Sequence, residues 1–211
     1  MRRHPHLYEI SAWPWLDRLS RREDRHITLA DVPPATWDAL AEAGFDCLYL
    51  MGVWRRSAVG RQIARTDLGH LSDYDRALPG WEMKDVPGSA FSIQAYEPDE
   101  RMGGWAALDH CRAELAQRGI ALVLDFVPNH TGFDHEWMST NPEFYVQGTL
   151  GNYRADPGLY RPIENADGTD VRFVACGRDP FFPPWPDVAQ LNYCNPATRE
   201  AMIGVLQTIA Q

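Results

Sequence analysis

The amino-acid sequence predicts an α/β fold in which a largely parallel sheet is covered by helices, and three observations predict it. A helix followed by a strand occurs twice, within 32–54 and again within 103–130. The second of these strands is almost unbroken apolar sequence, as expected where both faces of a sheet are covered. Two long segments rich in Pro, Gly and aromatic residues leave from the ends of predicted strands, the side on which α/β folds carry their chemistry.

The elements can be justified in order. HLYEISAWPWL (6–16) opens with a short strand and turns at Pro14. In VPPATWDALAEAGFDCLYLMGVW (32–54) prolines start a helix, Trp37, Leu40 and Ala41 recur at helical spacing, Gly44 stops it, and a strand runs from Phe45 to Met51. The second unit repeats this grammar: Trp105, Leu108, Cys111 and Leu115 mark one helical face, Gly119 is the stop, and Ile120 to Val127 is the strand. In the last segment Asn195 is the predicted N-cap and Pro196 the first helical residue, with Met202, Val205, Leu206 and Ile209 along one face. Residues 55–102 and 131–192 read as irregular, and loops of that length are usually functional.

Composition narrows the function. A chain of 211 residues with 45% hydrophobic content supports one sizeable core. Twenty basic against twenty-nine acidic residues, net charge -9, leave no basic stripe for a phosphate backbone, so nucleic acid is excluded as a partner. The amino terminus has no apolar run of secretory length and nothing approaches a membrane span, so a cytoplasmic location with no membrane partner is expected. Cys47, Cys111, Cys176 and Cys194 are scattered without a C-x-x-C pair and read as reduced thiols. Eight each of Trp, Tyr and Phe serve cores and sugar faces equally well.

The chemistry concentrates in ALVLDFVPNHTG (121–132). Asp125 lies inside the predicted strand, on the face of Val123 and Val127, where a carboxylate must be paired or hydrogen-bonded. Taken alone, it reads first as a structural aspartate held by backbone N–H groups. Asn129 and His130 follow Pro128 at the rim, where an imidazole can donate to a ligand hydroxyl and a carboxamide oxygen can take a hard cation. The acid-rich YEPDE (96–100) and FDHEW (133–137) lack the H-E-x-x-H helix of a metallohydrolase and read as solvated loops.

LDFVPNHTG resembles the first signature region of glycoside hydrolase family 13, the α-amylase family. LYEISAWPWL resembles that family's first barrel strand, GSAFSIQAYEPDERMGG the segment after strand two, and AQLNYCNPATREAM the stretch closing its inserted domain B. The resemblance spans nearly the whole chain. It implies a partial (β/α)8 TIM barrel of about three β/α units, with residues 1–130 in the barrel, 131–192 as the domain B insertion after strand three, and 193–211 as the next barrel helix before strand four. It further implies that His130 hydrogen-bonds the sugar in subsite −1, that Asp125 supports the catalytic floor, and that Phe91 stacks on the same sugar where most members carry tyrosine. Asn129 matches a calcium ligand of the calcium-dependent members; no cofactor is otherwise required.

What the resemblance implies about catalysis follows from position. The nucleophile and acid/base of a retaining glycosidase stand ~5–5.5 Å apart, and in this family they lie after strands four and five, so no catalytic residue is expected in this chain. The expected function is that of the amino-terminal fragment of an enzyme hydrolysing or transferring α-linked oligosaccharides or glucosides, completed by the missing barrel half. A non-catalytic carbohydrate-binding or partner protein is the alternative. An isolated piece of barrel exposing a strand edge is expected to be poorly soluble or to need a partner.

Overall fold

A computed structural model describes residues 2–165, 168 and 170–211. In chain order the first half runs β1 (Leu7–Ser11), α1 (Ala12–Glu23), α2 (Pro34–Glu42), β2 (Cys47–Met51), β3 (Trp54–Arg56), α3 (Ala58–Thr66), α4 (Leu68–Ala77) and β4 (Ile93–Pro98). The second half runs α5 (Gly104–Gln117), β5 (Ala121–Leu124), β6 (His130–Gly132), α6 (Trp137–Thr140), β7 (Gln147–Gly148), α7 (Leu150–Ala155), β8 (Tyr160–Glu164), β9 (Val171–Gly177), β10 (Trp185–Gln190) and α8 (Pro196–Ala210). These elements form two compact units, residues 1–55 with 97–126, and residues 56–96 with 127–211.

The first unit is the α/β part that the sequence predicts. Its sheet has the order β1-β2-β5, all parallel, with Leu7 opposite Cys47 and Cys47 opposite Ala121. Trp15 and Leu19 of α1, Trp37 of α2, Leu48 and Leu50 of β2, and Leu108, Cys111 and Leu115 of α5 are all buried, and the Trp15 and Trp37 rings pack 5.5 Å apart. Large apolar side chains stabilise a fold by roughly 1.5–3 kcal/mol each on full burial, so this cluster is the unit's main source of stability. Both predicted stops hold: Gly44 and Gly119 adopt φ of 79° and 73°, the left-handed region that ends a helix without a Cβ penalty.

Three expectations for this unit need correction. Pro14 does not end the opening segment but sits in the first turn of α1, where its missing N–H has no helical partner in any case. Trp105 belongs to the predicted apolar face of α5 yet is 43% exposed, its ring leaning on Trp54 at 6.1 Å. The strand predicted to reach Val127 stops at Leu124, and its four residues are only half-buried, because β5 pairs with β2 on one side alone among the described residues. Beyond the strand, the Val127 N–H donates to the Tyr96 hydroxyl at 3.0 Å and that hydroxyl donates to the Val127 carbonyl at 3.1 Å.

The second unit holds the two segments read as irregular, and neither is. Residues 58–77 form α3 and α4, and α3 begins under a double cap: Ser57 Oγ accepts from Gly60 N–H at 2.8 Å and Asp134 accepts from Ala58 N–H at 2.8 Å. Residues 130–190 build an antiparallel sheet of order β6-β10-β9-β7, with β8 also paired to β9. Asn195 caps α8 as predicted, accepting from Ala197 N–H at 3.0 Å, but only Met202 of its apolar face is buried and Leu206 is 46% exposed. The four cysteines are free thiols, with Cys47, Cys111 and Cys176 buried and Cys194 exposed. No helix among the described residues is long and apolar enough to cross a membrane.

Candidate functional site

In the first unit, the carboxylate that the sequence singles out is fully engaged. Asp125 is 4% exposed just past the end of β5. Its Oδ1 accepts from the Tyr49 hydroxyl, its Oδ2 accepts from Gly52 N–H at 2.6 Å, and its backbone carbonyl accepts from Trp54 Nε1 at 2.9 Å. The tyrosine on β2 is pushed well above the usual phenol range by burial and then by this carboxylate. Tyr49 therefore remains a hydrogen-bond donor at any physiological pH, and Asp125 locks the ends of β2 and β5 together. That is the structural reading of Asp125 in full. Tyr49 was not singled out from the sequence, although its place in the predicted strand 45–51 was the available signal.

In the second unit, Phe91 and His130 come together. His130 opens β6, paired opposite Gln190 of β10, and is 8% exposed, so it lies deeper than the rim position predicted. Burial pulls its pKa down to about 4, opposed by a backbone hydrogen bond with Phe91. The imidazole is consequently neutral at neutral pH. Its orientation is fixed from two sides. Asn129 Nδ2 donates to His130 Nδ1 at 3.1 Å, while the Trp185 ring packs edge-on at 5.5 Å. The amide of Asn129 is itself oriented by Gln190, whose Nε2 donates to Asn129 Oδ1 at 3.0 Å and to the Asn129 carbonyl at 2.9 Å. With Nδ1 accepting, the ring proton resides on Nε2, and the Phe91 backbone carbonyl accepts from it.

Phe91 is 40% exposed, and its backbone lies against the buried His130 imidazole. Trp185 and Gln190, which set this geometry, were not found from the sequence because they lie 55 and 60 residues beyond His130.

Asn129, expected from the resemblance as a calcium ligand, has its carboxamide held by Gln190. Calcium takes six to eight oxygen ligands, and the Asn129 carboxamide oxygen accepts from Gln190 Nε2 at 3.0 Å. No cluster of three or more His, Cys, Asp or Glu side chains suited to a metal occurs among the described residues. The acidic stretches are also not solvated loops. Asp134 caps α3, His135 is buried with its Nδ1 accepting from Trp137 N–H at 3.2 Å, and Asp99 is 7% exposed and accepts from Arg101 N–H at 3.0 Å.

No protein-family model matches the chain. Among curated proteins it is 33% identical over 103 residues to the trehalose synthase/amylase TreS of Mycolicibacterium smegmatis, a match covering 43% of this chain and 16% of that protein. Among solved structures it superposes on an α-amylase from Lactobacillus plantarum with a TM-score of 0.57 and 18% identity, over 96% of this chain and 35% of that one. An isomaltulose synthase from Klebsiella sp. gives a TM-score of 0.60 and 17% identity, over 97% of this chain and 32% of that one. The chain thus spans about a third of the length of these solved enzymes. In its sequence motifs and in its mixed α/β fold, it resembles the enzymes of glycoside hydrolase family 13, the α-amylase family.

Proposed function

We propose that this chain is the amino-terminal part of the catalytic domain of an enzyme that hydrolyses or transfers α-linked glucosides, and that Phe91 and His130 hold the sugar. In this reading residues 1–130 belong to a partial (β/α)8 barrel, 131–192 to its inserted domain B and 193–211 to the following barrel helix. The observation that carries the reading is the pairing of a half-exposed Phe91 ring with a buried, neutral, doubly oriented His130. A pyranose presents an apolar C–H face to the ring and a hydroxyl that takes the imidazole N–H in competition with the Phe91 carbonyl. Because the imidazole is held in place before the ligand arrives, little ordering entropy is lost on binding. Asp125 acts through Tyr49 and Gly52, as a positioning residue at the end of the parallel sheet.

The bond-breaking carboxyl pair, ~5–5.5 Å apart in a retaining enzyme, is supplied from outside these 211 residues, in keeping with the share of the solved enzymes that the chain spans. The names of the similar proteins, amylase, trehalose synthase and isomaltulose synthase, support an α-glucoside as substrate. The complete product of the gene, assayed with maltose, isomaltose, trehalose and sucrose, should release glucose or a rearranged disaccharide from at least one. Failure to turn over any α-glucoside overturns the proposal.

A further inference from the structure

Within the second unit lies a cavity of about 520 Å³, inside the ~300–1,000 Å³ range of small-molecule sites. Part of its wall is aromatic: Tyr74 of α4 and Trp81 of the loop after it pack edge to face at 5.4 Å, and Trp185 at the start of β10 adds a third large ring. Two carboxyl side chains, Asp85 and Asp187, line the same space. The wall is held in place by its own hydrogen bonds. Trp81 Nε1 donates to Asp75 at 2.8 Å, Asp85 accepts from Glu82 N–H at 2.8 Å, and the Arg65 guanidinium donates to the Met83 and Val86 carbonyls at 2.6 and 3.0 Å. On β10, the Asp187 carbonyl accepts from Ser92 Oγ at 2.9 Å.

We propose that this cavity binds a small organic ammonium ion, with its carbon substituents against the Tyr74, Trp81 and Trp185 rings and its charge beside Asp187 and Asp85. The observations select that class by charge and by softness. No Lys or Arg lines the cavity, so it offers no cation to a phosphate or carboxylate ligand. A bare metal ion is disfavoured as well, because no cluster of three or more His, Cys, Asp or Glu side chains suited to a metal occurs among the described residues. Against an uncharged ligand stands Asp187. Burial raises the pKa of its carboxyl, opposed by its own backbone N–H and by His70, and no Lys or Arg is among the groups that act on it. A carboxylate drawn out of water without a cation beside it is costly, and an ammonium ion supplies that missing charge. The rings favour an organic cation further, since the negative face of an aromatic system attracts an alkylated ammonium that sheds its water easily. The proposal uses neither Phe91 nor His130 and stands apart from the α-glucoside reading.

The test is a titration of the isotope-labelled 211-residue chain with tetramethylammonium chloride at constant ionic strength, followed by NMR at the Trp81 indole N–H. That signal is assigned by its loss in Trp81→Phe. tert-Butanol, uncharged and of similar size, is the matched control. Tetramethylammonium should shift the Trp81 signal saturably and tert-butanol should not. Asp187→Asn, which keeps the size of the side chain and removes its charge, should weaken the response about tenfold, and Asp85→Asn, read in the same way, gives a second measure. An equal response to tert-butanol overturns the proposal, as do Asp187→Asn and Asp85→Asn variants that both bind as tightly as the wild type. A Trp81 signal that maltose moves and tetramethylammonium does not would assign the cavity to a neutral ligand and overturn it too.

Discussion

The two units bury different kinds of side chain. Residues 1–55 with 97–126 bury an almost wholly apolar core around a parallel sheet, with only Asp99 and Asp125 as buried polar residues among the described ones. Residues 56–96 with 127–211 bury His130, His135, Thr131, Ser57, Ser92, Arg56 and Thr198 alongside their apolar core. An apolar core is stabilised without regard to pH, whereas buried polar groups stabilise only while every hydrogen bond is made and every titratable group keeps its buried charge state. The difference teaches that the acid sensitivity is concentrated in the second unit, and that the first is held mainly by apolar packing.

Lowering the pH should break that comparison most strongly. His130 and His135 both have folded pKa values of about 4, held down by burial, against ~6.5 for an unperturbed histidine. Between those values the unfolded chain binds more protons than the folded one, so stability rises with pH and is lost as pH falls from about 6.5 toward 4. Each histidine accounts for up to about 3 kcal/mol of that loss. Urea unfolding at pH 7 and pH 4.5 would measure it, and His135→Phe should flatten the dependence. A stability independent of pH in this window would show that the imidazoles are not buried as described.

A smaller effect sharpens the other half of the comparison. Asp125→Ala leaves the Gly52 N–H and the Tyr49 hydroxyl without their acceptor, and an orphaned buried group costs ~1–3 kcal/mol. Urea unfolding at pH 7 should show the lowered midpoint. Asp125→Asn, which keeps one acceptor oxygen, should cost less.

Much of the scaffold was legible because its signals are local. The Pro34 start and Gly44 stop of α2, the Gly119 stop of α5 and the Asn195 cap of α8 depend on residues a few positions apart, and each is found in place. Helices α3 and α4 escaped notice because Gly60 is their sole buried residue, so no apolar stripe announces them. Asp125 of the first unit and Asn129 and His130 of the second were singled out from the sequence, and their supports were not: Tyr49 reaches Asp125 across 76 residues and Gln190 reaches Asn129 across 61. Long-range partners of this kind are fixed by strand register, which one sequence does not print.

The account stands on Phe91 and His130 acting as a pair, and isothermal calorimetry of maltose binding to this chain tests it most directly. The wild-type protein should bind saturably, and both Phe91→Ala and His130→Ala should weaken binding tenfold or more, about 1.4 kcal/mol each. Saturable binding that neither substitution alters would contradict it.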